Sequence, residues 1–231
     1  MRRGARIAAI IPALDEEATI GGVLADLPSW LDQVIVVDNG SSDRTTEVAR
    51  AAGAQVLEEP HRGYGLACQT GITALDEPDV VLFLDADHSD YPEEAERLVD
   101  PILDGADLVI GSRVLGQRQP GALTLQARFG NWLACALIRV IWGGRFTDLG
   151  PFRAIRFGAL QGLAMADHNY GWTVEMQIKA LQRHMLVLEV PVSYRKRPGG
   201  RSKVSSTLRG VVGAGTKILG TVFLLAWDER R

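Results

Sequence analysis

VVLFLDADHSD, residues 80–90, joins five apolar residues to three carboxylates and a histidine within six positions. A run this apolar, entered from the turn Glu77-Pro78-Asp79, reads as a strand buried on both faces of a parallel sheet. Ligands of open α/β sheets bind outside the carboxyl ends of the strands, so Asp85 and Asp87 are expected to face one. Two carboxylates held close repel and raise each other's pKa unless a cation sits beside them, and a divalent metal meets that need. The same residues also suit a solvated turn in which Ser89 or Asp90 caps a helix starting near Pro92-Glu93-Glu94.

Outward from this stretch the chain alternates strand and helix. Strands are expected at Arg6–Ile11, Gln33–Asp38, Ala54–Glu58, Asp79–Leu84 and Asp107–Ile110. Helices are expected at Glu16–Leu27, Asp43–Ala52, Tyr64–Leu75 and Glu93–Leu103. That rhythm predicts right-handed crossovers and a mainly parallel sheet, covered on both faces. After Ser112 the rhythm breaks into a loop to Gly121, a helix Ala127–Trp142, a strand Phe152–Arg156, a helix Tyr170–Arg183, a strand Met185–Tyr194 and a helical tail from Ser205. The first four strands all end in polar residues, at Asp15 to Glu17, Asp38 to Asp43, His61 to Gly65 and Asp85 to Asp87, and these ends are neighbours in a parallel sheet. Gly63-Tyr64-Gly65 approaches a dinucleotide fingerprint, but it follows the third strand where that motif belongs after the first.

Composition narrows the classes. A chain of 231 residues with 46% hydrophobic content buries a full core and suits one α/β domain. Net charge is only −3, yet residues 190–227 hold seven basic residues and no acid, so this end attracts anions. Too few aromatics accompany it for a single-strand stacking surface, and no nucleic acid is expected. Two cysteines without metal spacing suit a reducing cytosol. Met1-Arg2-Arg3 before Ile7 mimics a leader, but the apolar run stops at Pro12, so a first strand is the reading adopted. Trp132–Trp142 and Val211–Trp227 are too short or too interrupted to span a bilayer. Each serves equally as core, as an interfacial amphipathic helix or as a dimer contact.

The series IIPALDEEATI, VIVVDNGSSDRT, HRGYGLACQTGI, VVLFLDADHSDYPEE, DLVIGSR, TDLGPFRAIR, GWTVEMQIKA and VPVSYRKRPGGRSK resembles family 2 of the inverting glycosyltransferases, which have the GT-A fold. The resemblance is greatest to the polyprenyl-phosphate sugar transferases and covers roughly residues 6–210. It implies one GT-A domain, with residues 1–113 taking the nucleotide sugar, 114–204 the acceptor, and 205–227 forming an amphipathic helix. By that resemblance Pro12, Leu14 and Glu16 line the base and ribose, Asp38 and Asn39 read the base edge, and Gly63 belongs to the donor loop. Asp85 contacts ribose or metal, and Asp87 binds Mg2+ or Mn2+ bridging the donor diphosphate. Arg113, Arg201, Ser202 and Lys203 are placed as phosphate clamps, although a solvated basic loop accounts for the same charges. Asp148 and Glu175 are the candidate bases, with structural roles as the alternative for each. A lipid phosphate acceptor, already anionic, needs no base. Tyr64 stands where mannose-transferring relatives carry a lysine, so their GDP-mannose preference is not carried over; resemblance to bacterial relatives with a GYG loop implies UDP-glucose or a related UDP-sugar as the donor. The long transmembrane tail that some relatives carry is not seen in this sequence, so a cytoplasmic enzyme, soluble or peripheral on the membrane, is expected. A soluble small-molecule or protein acceptor, and a non-catalytic nucleotide- or nucleic-acid-binding module, are the rival readings.

Overall fold

A computed structural model describes residues 1–200 and 208–228. Seven strands form one sheet: β1 Ile7–Ala13, β2 Gln33–Asp38, β3 Gln55–Glu58, β4 Val80–Phe83, β5 Leu108–Ser112, β6 Arg153–Arg156 and β7 Val187–Pro191. Helices α1 Ile20–Asp26, α2 Thr45–Ala51, α3 Tyr64–Thr73, α4 Glu96–Leu103, α5 Leu125–Trp142, α6 Phe157–Leu163, α7 Trp172–Gln182 and α8 Leu208–Asp228 surround it. The strand order is β3-β2-β1-β4-β6-β5-β7, a mixed α/β architecture of the expected class.

The sequence of β1 explains its central place. Ile7, Ala9, Ile11 and Ala13 join the core on one face, while Ile10 joins Ile35, Val81 and Phe83 on the other. Strand side chains alternate between faces, so a strand without polar positions must be covered twice. Each fully buried Ile, Val or Phe stabilises the sheet by about 1.5–3 kcal/mol. A third cluster, with Ala134, Cys135, Ile138, Val174, Ile178 and Val222, packs α5, α7 and α8 together.

The structure departs from the strand and helix expectations at three places. First, β6 runs antiparallel to both β4 and β5, pairing Phe83 and Ile110 with Arg153. Its start therefore lies at the carboxyl ends of its neighbours, which brings the 147–152 loop to the edge where Asp85 and Arg113 emerge. Second, α1 begins at Ile20, because Asp15 takes a positive φ of 48° and the Glu16 N–H is bound by the Thr45 hydroxyl at 2.7 Å. Third, α6 follows β6 directly. Its two glycines disguise a helix held by the buried Leu160 and Leu163.

Candidate active site at the carboxyl edge of the sheet

Between β1 and β4 the strand order reverses direction, which in open α/β sheets opens a crevice at the carboxyl ends. The Asp85-Ala86-Asp87 turn lies there. Ser89 N–H donates to Asp87 Oδ1 at 2.9 Å, and Arg195 covers the turn, with Nε donating to the His88 carbonyl at 2.7 Å. Opposite, Glu16 is buried at the end of β1, where the Thr19 hydroxyl donates to it at 3.0 Å. Arg197 joins the two sides: Nη1 donates to Glu16 at 2.7 and 2.8 Å, and Nη2 to Asp87 Oδ2 at 2.9 Å.

Asp85 is the unfinished member. Its Oδ1 is buried without a hydrogen-bond partner. Burial first, then repulsion from Asp87, pushes its carboxyl up to about 7 against the pull of Tyr64, Arg113 and Arg197. Asp90, three residues from Asp87, has a buried Oδ1 in the same condition, and burial pushes it up as well. A cluster that raises its own carboxyl pKa values gains from a cation. The described residues contain no group of three or more His, Cys, Asp or Glu arranged to hold a metal. Two carboxylates do not complete a coordination shell, so a cation beside Asp85 and Asp87 would need further ligands from a bound group, as Mg2+ takes them from phosphate substrates.

Asp148 and Arg113 form a second, completed unit. Asp148 is fully buried and accepts from Arg113 Nε at 2.8 Å, Nη2 at 2.7 Å and backbone N–H at 2.8 Å, and from Leu149 N–H at 2.8 Å. Burial alone would raise its carboxyl, but Arg113 overrules burial and holds it below the usual range. The Arg113 guanidinium also lies 5.1 Å over the Tyr194 ring. Glu175 sits on α7 behind this edge, 3% exposed, accepting from the Ala166 and Asp167 N–H groups at 2.9 and 2.8 Å and pairing with Lys179 at 2.7 Å.

The β2 and β3 loops complete the edge. Asp38 accepts from Ser41 N–H at 3.1 Å. Asn39 donates to the Glu59 and His61 carbonyls and accepts from Gly63 N–H at 2.7 Å, so its amide ties these loops together. Pro12 is buried and Leu14 half-buried at the mouth of β1. A Cβ on Gly63 would lie 2.2 Å from the His168 carbonyl, and one on Gly65 1.9 Å from that of Asp167. These glycines thus admit a passing backbone turn, which accounts for the GYG pattern without a dinucleotide.

Pro12, Leu14, Glu16, Asp38, Asn39, Gly63, Asp85, Asp87, Arg113 and Asp148 thus gather at one edge, and Glu175 stands behind it. Arg201, Ser202 and Lys203 lie outside the described residues. Reading the sequence alone missed Arg195 and Arg197. The available signal was their spacing of two after a strand, which puts both on the face opposite Lys196.

Beside Arg113 and Thr147 opens a groove of about 700 Å3, lined by Leu125, Phe129, Trp132 and three arginines, Arg118, Arg128 and Arg139. The buried Ala134, Cys135 and Ile138 give α5 a core face, while Leu125, Phe129, Trp132 and Val140 are 61–82% exposed. Phe223, Leu224 and Trp227 of α8 are exposed as well. Among the described residues no helix is long and apolar enough to cross a membrane.

Comparison with known proteins agrees with this architecture. An uncharacterized glycosyltransferase of Mycobacterium bovis is 37% identical over 211 residues, covering 90% of this chain and 94% of that protein. A dolichyl-phosphate hexose transferase of Haloferax volcanii is 35% identical, covering 84% of each chain. An undecaprenyl-phosphate mannosyltransferase of Micrococcus luteus is 32% identical, covering 90% of each. Among solved structures, glucosyl-3-phosphoglycerate synthase from Mycobacterium tuberculosis, in complex with Mn2+, UDP-glucose and phosphoglyceric acid, superposes with a TM-score of 0.80 at 25% identity, over 96% of this chain and 80% of that one. The sheet and its helices are those of the GT-A fold. Residues 8–163, more than half of the chain, match the family described as Glycosyl transferase family 2, and the protein belongs to that family of glycosyltransferases.

Proposed function

We propose that the protein moves a sugar, with inversion, from a UDP-sugar such as UDP-glucose to a polyprenyl phosphate. The observation that carries this reading is the position of Arg113: one guanidinium stands between the Asp85–Asp87 edge and the apolar, arginine-rimmed groove of α5. The donor lies across the ends of β1, β2 and β4, with Asp85 and Asp87 as the chain's own metal ligands. A Mg2+ or Mn2+ bound there supplies neutralisation of the charge that develops on the leaving diphosphate. Support comes from the Mn2+ and UDP in complexes of the structural relative.

The acceptor chain lies along Leu125, Phe129 and Trp132, and its phosphate meets Arg113 and Arg128. A phosphate oxygen attacks the anomeric carbon, the bond from that carbon to the diphosphate oxygen breaks, and the nucleoside diphosphate leaves with the electron pair. Such a nucleophile is already ionised. The commitments of Asp148 to Arg113 and of Glu175 to the 166–167 backbone support this choice, since neither carboxylate is needed as a base. The enzyme then works as a peripheral protein, with the exposed faces of α5 and α8 against the bilayer.

A phosphorylated soluble acceptor is the second reading, favoured by the solved complexes of glucosyl-3-phosphoglycerate synthase with phosphoglyceric acid. The deciding experiment offers radiolabelled UDP-glucose and Mn2+ with undecaprenyl phosphate in anionic vesicles or with phosphoglycerate. Label in the organic extract is expected, and Phe129→Glu should reduce it about tenfold, equal to ~1.4 kcal/mol of barrier. Label only in phosphoglycerate would establish the second reading instead.

A further inference from the structure

One turn, residues 166–169, touches both the GYG loop and the C-terminal helix. On the loop side, the His168 carbonyl accepts from Leu66 N–H at 3.1 Å, and the Asp167 and His168 carbonyls press on Gly65 and Gly63 closely enough to exclude any side chain there. Tyr64, between those glycines, stands beside Asp85, and Gly63 is fixed to Asn39.

On the helix side, Asp167 divides its oxygens. Oδ1 closes the turn, accepting from Asn169 N–H at 2.7 Å and Gly171 N–H at 3.2 Å. Oδ2 accepts from the Thr221 hydroxyl at 3.1 Å and pairs with the Lys217 ammonium at 3.0 Å, both on α8. A Cβ on Gly171 would lie 2.2 Å from Asp167 Oδ2 and 2.3 Å from Thr221 Oγ1, so the junction has no slack. Burial pushes the Asp167 carboxyl up, but Asn169 N–H and Lys217 outweigh that and keep it below the usual range. Glu175 anchors the same turn from α7. Lys217, midway along a mostly apolar helix, thereby acquires a purpose that core packing does not give it.

We infer that Asp167 is a positioning residue through which the seating of α8 sets the donor loop, so that this helix tunes affinity for the nucleotide at a site it does not touch. Close-packed junctions transmit displacement because they do not compress. The coupling rests on the proposed donor site at Asp85 and Asp87. It also gives the exposed apolar residues Phe223, Leu224 and Trp227 a role, since whatever covers them loads the helix.

The test uses the full chain with Lys217→Met, Thr221→Ala and the conservative Lys217→Arg. Lys217 is 47% exposed, so its replacement leaves the core intact, and thermal unfolding checks each variant. Titration with UDP and Mn2+ should show at least about fivefold weaker binding for Lys217→Met and Thr221→Ala, the lower end of ordinary coupling between sites, with Lys217→Arg restored. Donor KM should rise while acceptor KM and kcat hold, a split that mere loss of stability does not produce. Unchanged UDP binding in both folded variants overturns the coupling and leaves the donor site standing. Failure of the wild type to bind UDP with Mn2+ sinks the donor site itself.

Discussion

Two pairs of acidic residues distinguish the two regions that matter in this protein. Asp85 and Asp87 stand at the mouth of the crevice with one oxygen buried and unpartnered, and with a single guanidinium, Arg197, reaching Asp87 from the segment after β7. Asp148 and Glu175 have every oxygen taken by a guanidinium, an ammonium or backbone N–H groups. The first pair keeps one unpartnered oxygen, Asp85 Oδ1, and the second is saturated. A carboxylate pair that could still take a ligand and a scaffold that positions neighbours are thus told apart by what each oxygen already accepts, even where all four residues are carboxylates.

The largest expected effect sharpens that contrast. Asp87→Ala should weaken Mn2+-dependent UDP binding by about 100-fold or more, as for lost metal-site contacts, while the midpoint of urea unfolding stays near that of wild type. Asp148→Ala should do the reverse, costing about 3 kcal/mol of stability because it strands the largely buried Arg113. A variant pair that fails to separate in this way would abolish the distinction between the two regions.

The next effect concerns pH. The folded-state pKa of Asp148 lies below its unfolded value, so the pair's contribution is fully present above the unfolded pKa and is lost as pH falls through it toward the folded one. Urea unfolding should therefore show stability declining from about pH 5 downward in the wild type, and a shallower decline in Asp148→Asn, which has no proton to take up. The smallest effect belongs to Arg197. Because its guanidinium pairs with Asp87, Arg197→Gln should bind Mn2+ without nucleotide about threefold more tightly, the scale of one solvent-screened charge interaction, by calorimetric titration.

Much of the fold was legible because strands such as Ile7–Ala13 and Val80–Phe83 carry no polar position and therefore cannot face water on either side. The candidate site was legible where polar residues stand at or just beyond the ends of such strands, at Glu16, Asp38 and Asp85. It was illegible where the arrangement depends on direction or distance. The antiparallel course of β6 has no mark in Arg153–Arg156, yet it brings Asp148 to Arg113 across 35 positions. Arg197 reaches Glu16 over 181 positions, a contact that no local pattern encodes. Gly63-Tyr64-Gly65 approaches a dinucleotide fingerprint in the sequence, whereas the space its glycines leave is taken by the backbone at 167–168.

The order of elements, the acid-rich turn after β4 and the basic end of the chain are properties of the sequence by itself, set by burial and by charge along the backbone. Which carboxylates keep an unpartnered oxygen, which arginines reach them and which helix meets the 166–169 turn were decided only by the tertiary structure, because hydrogen bonds and ion pairs saturate in space, between groups that the chain alone keeps far apart.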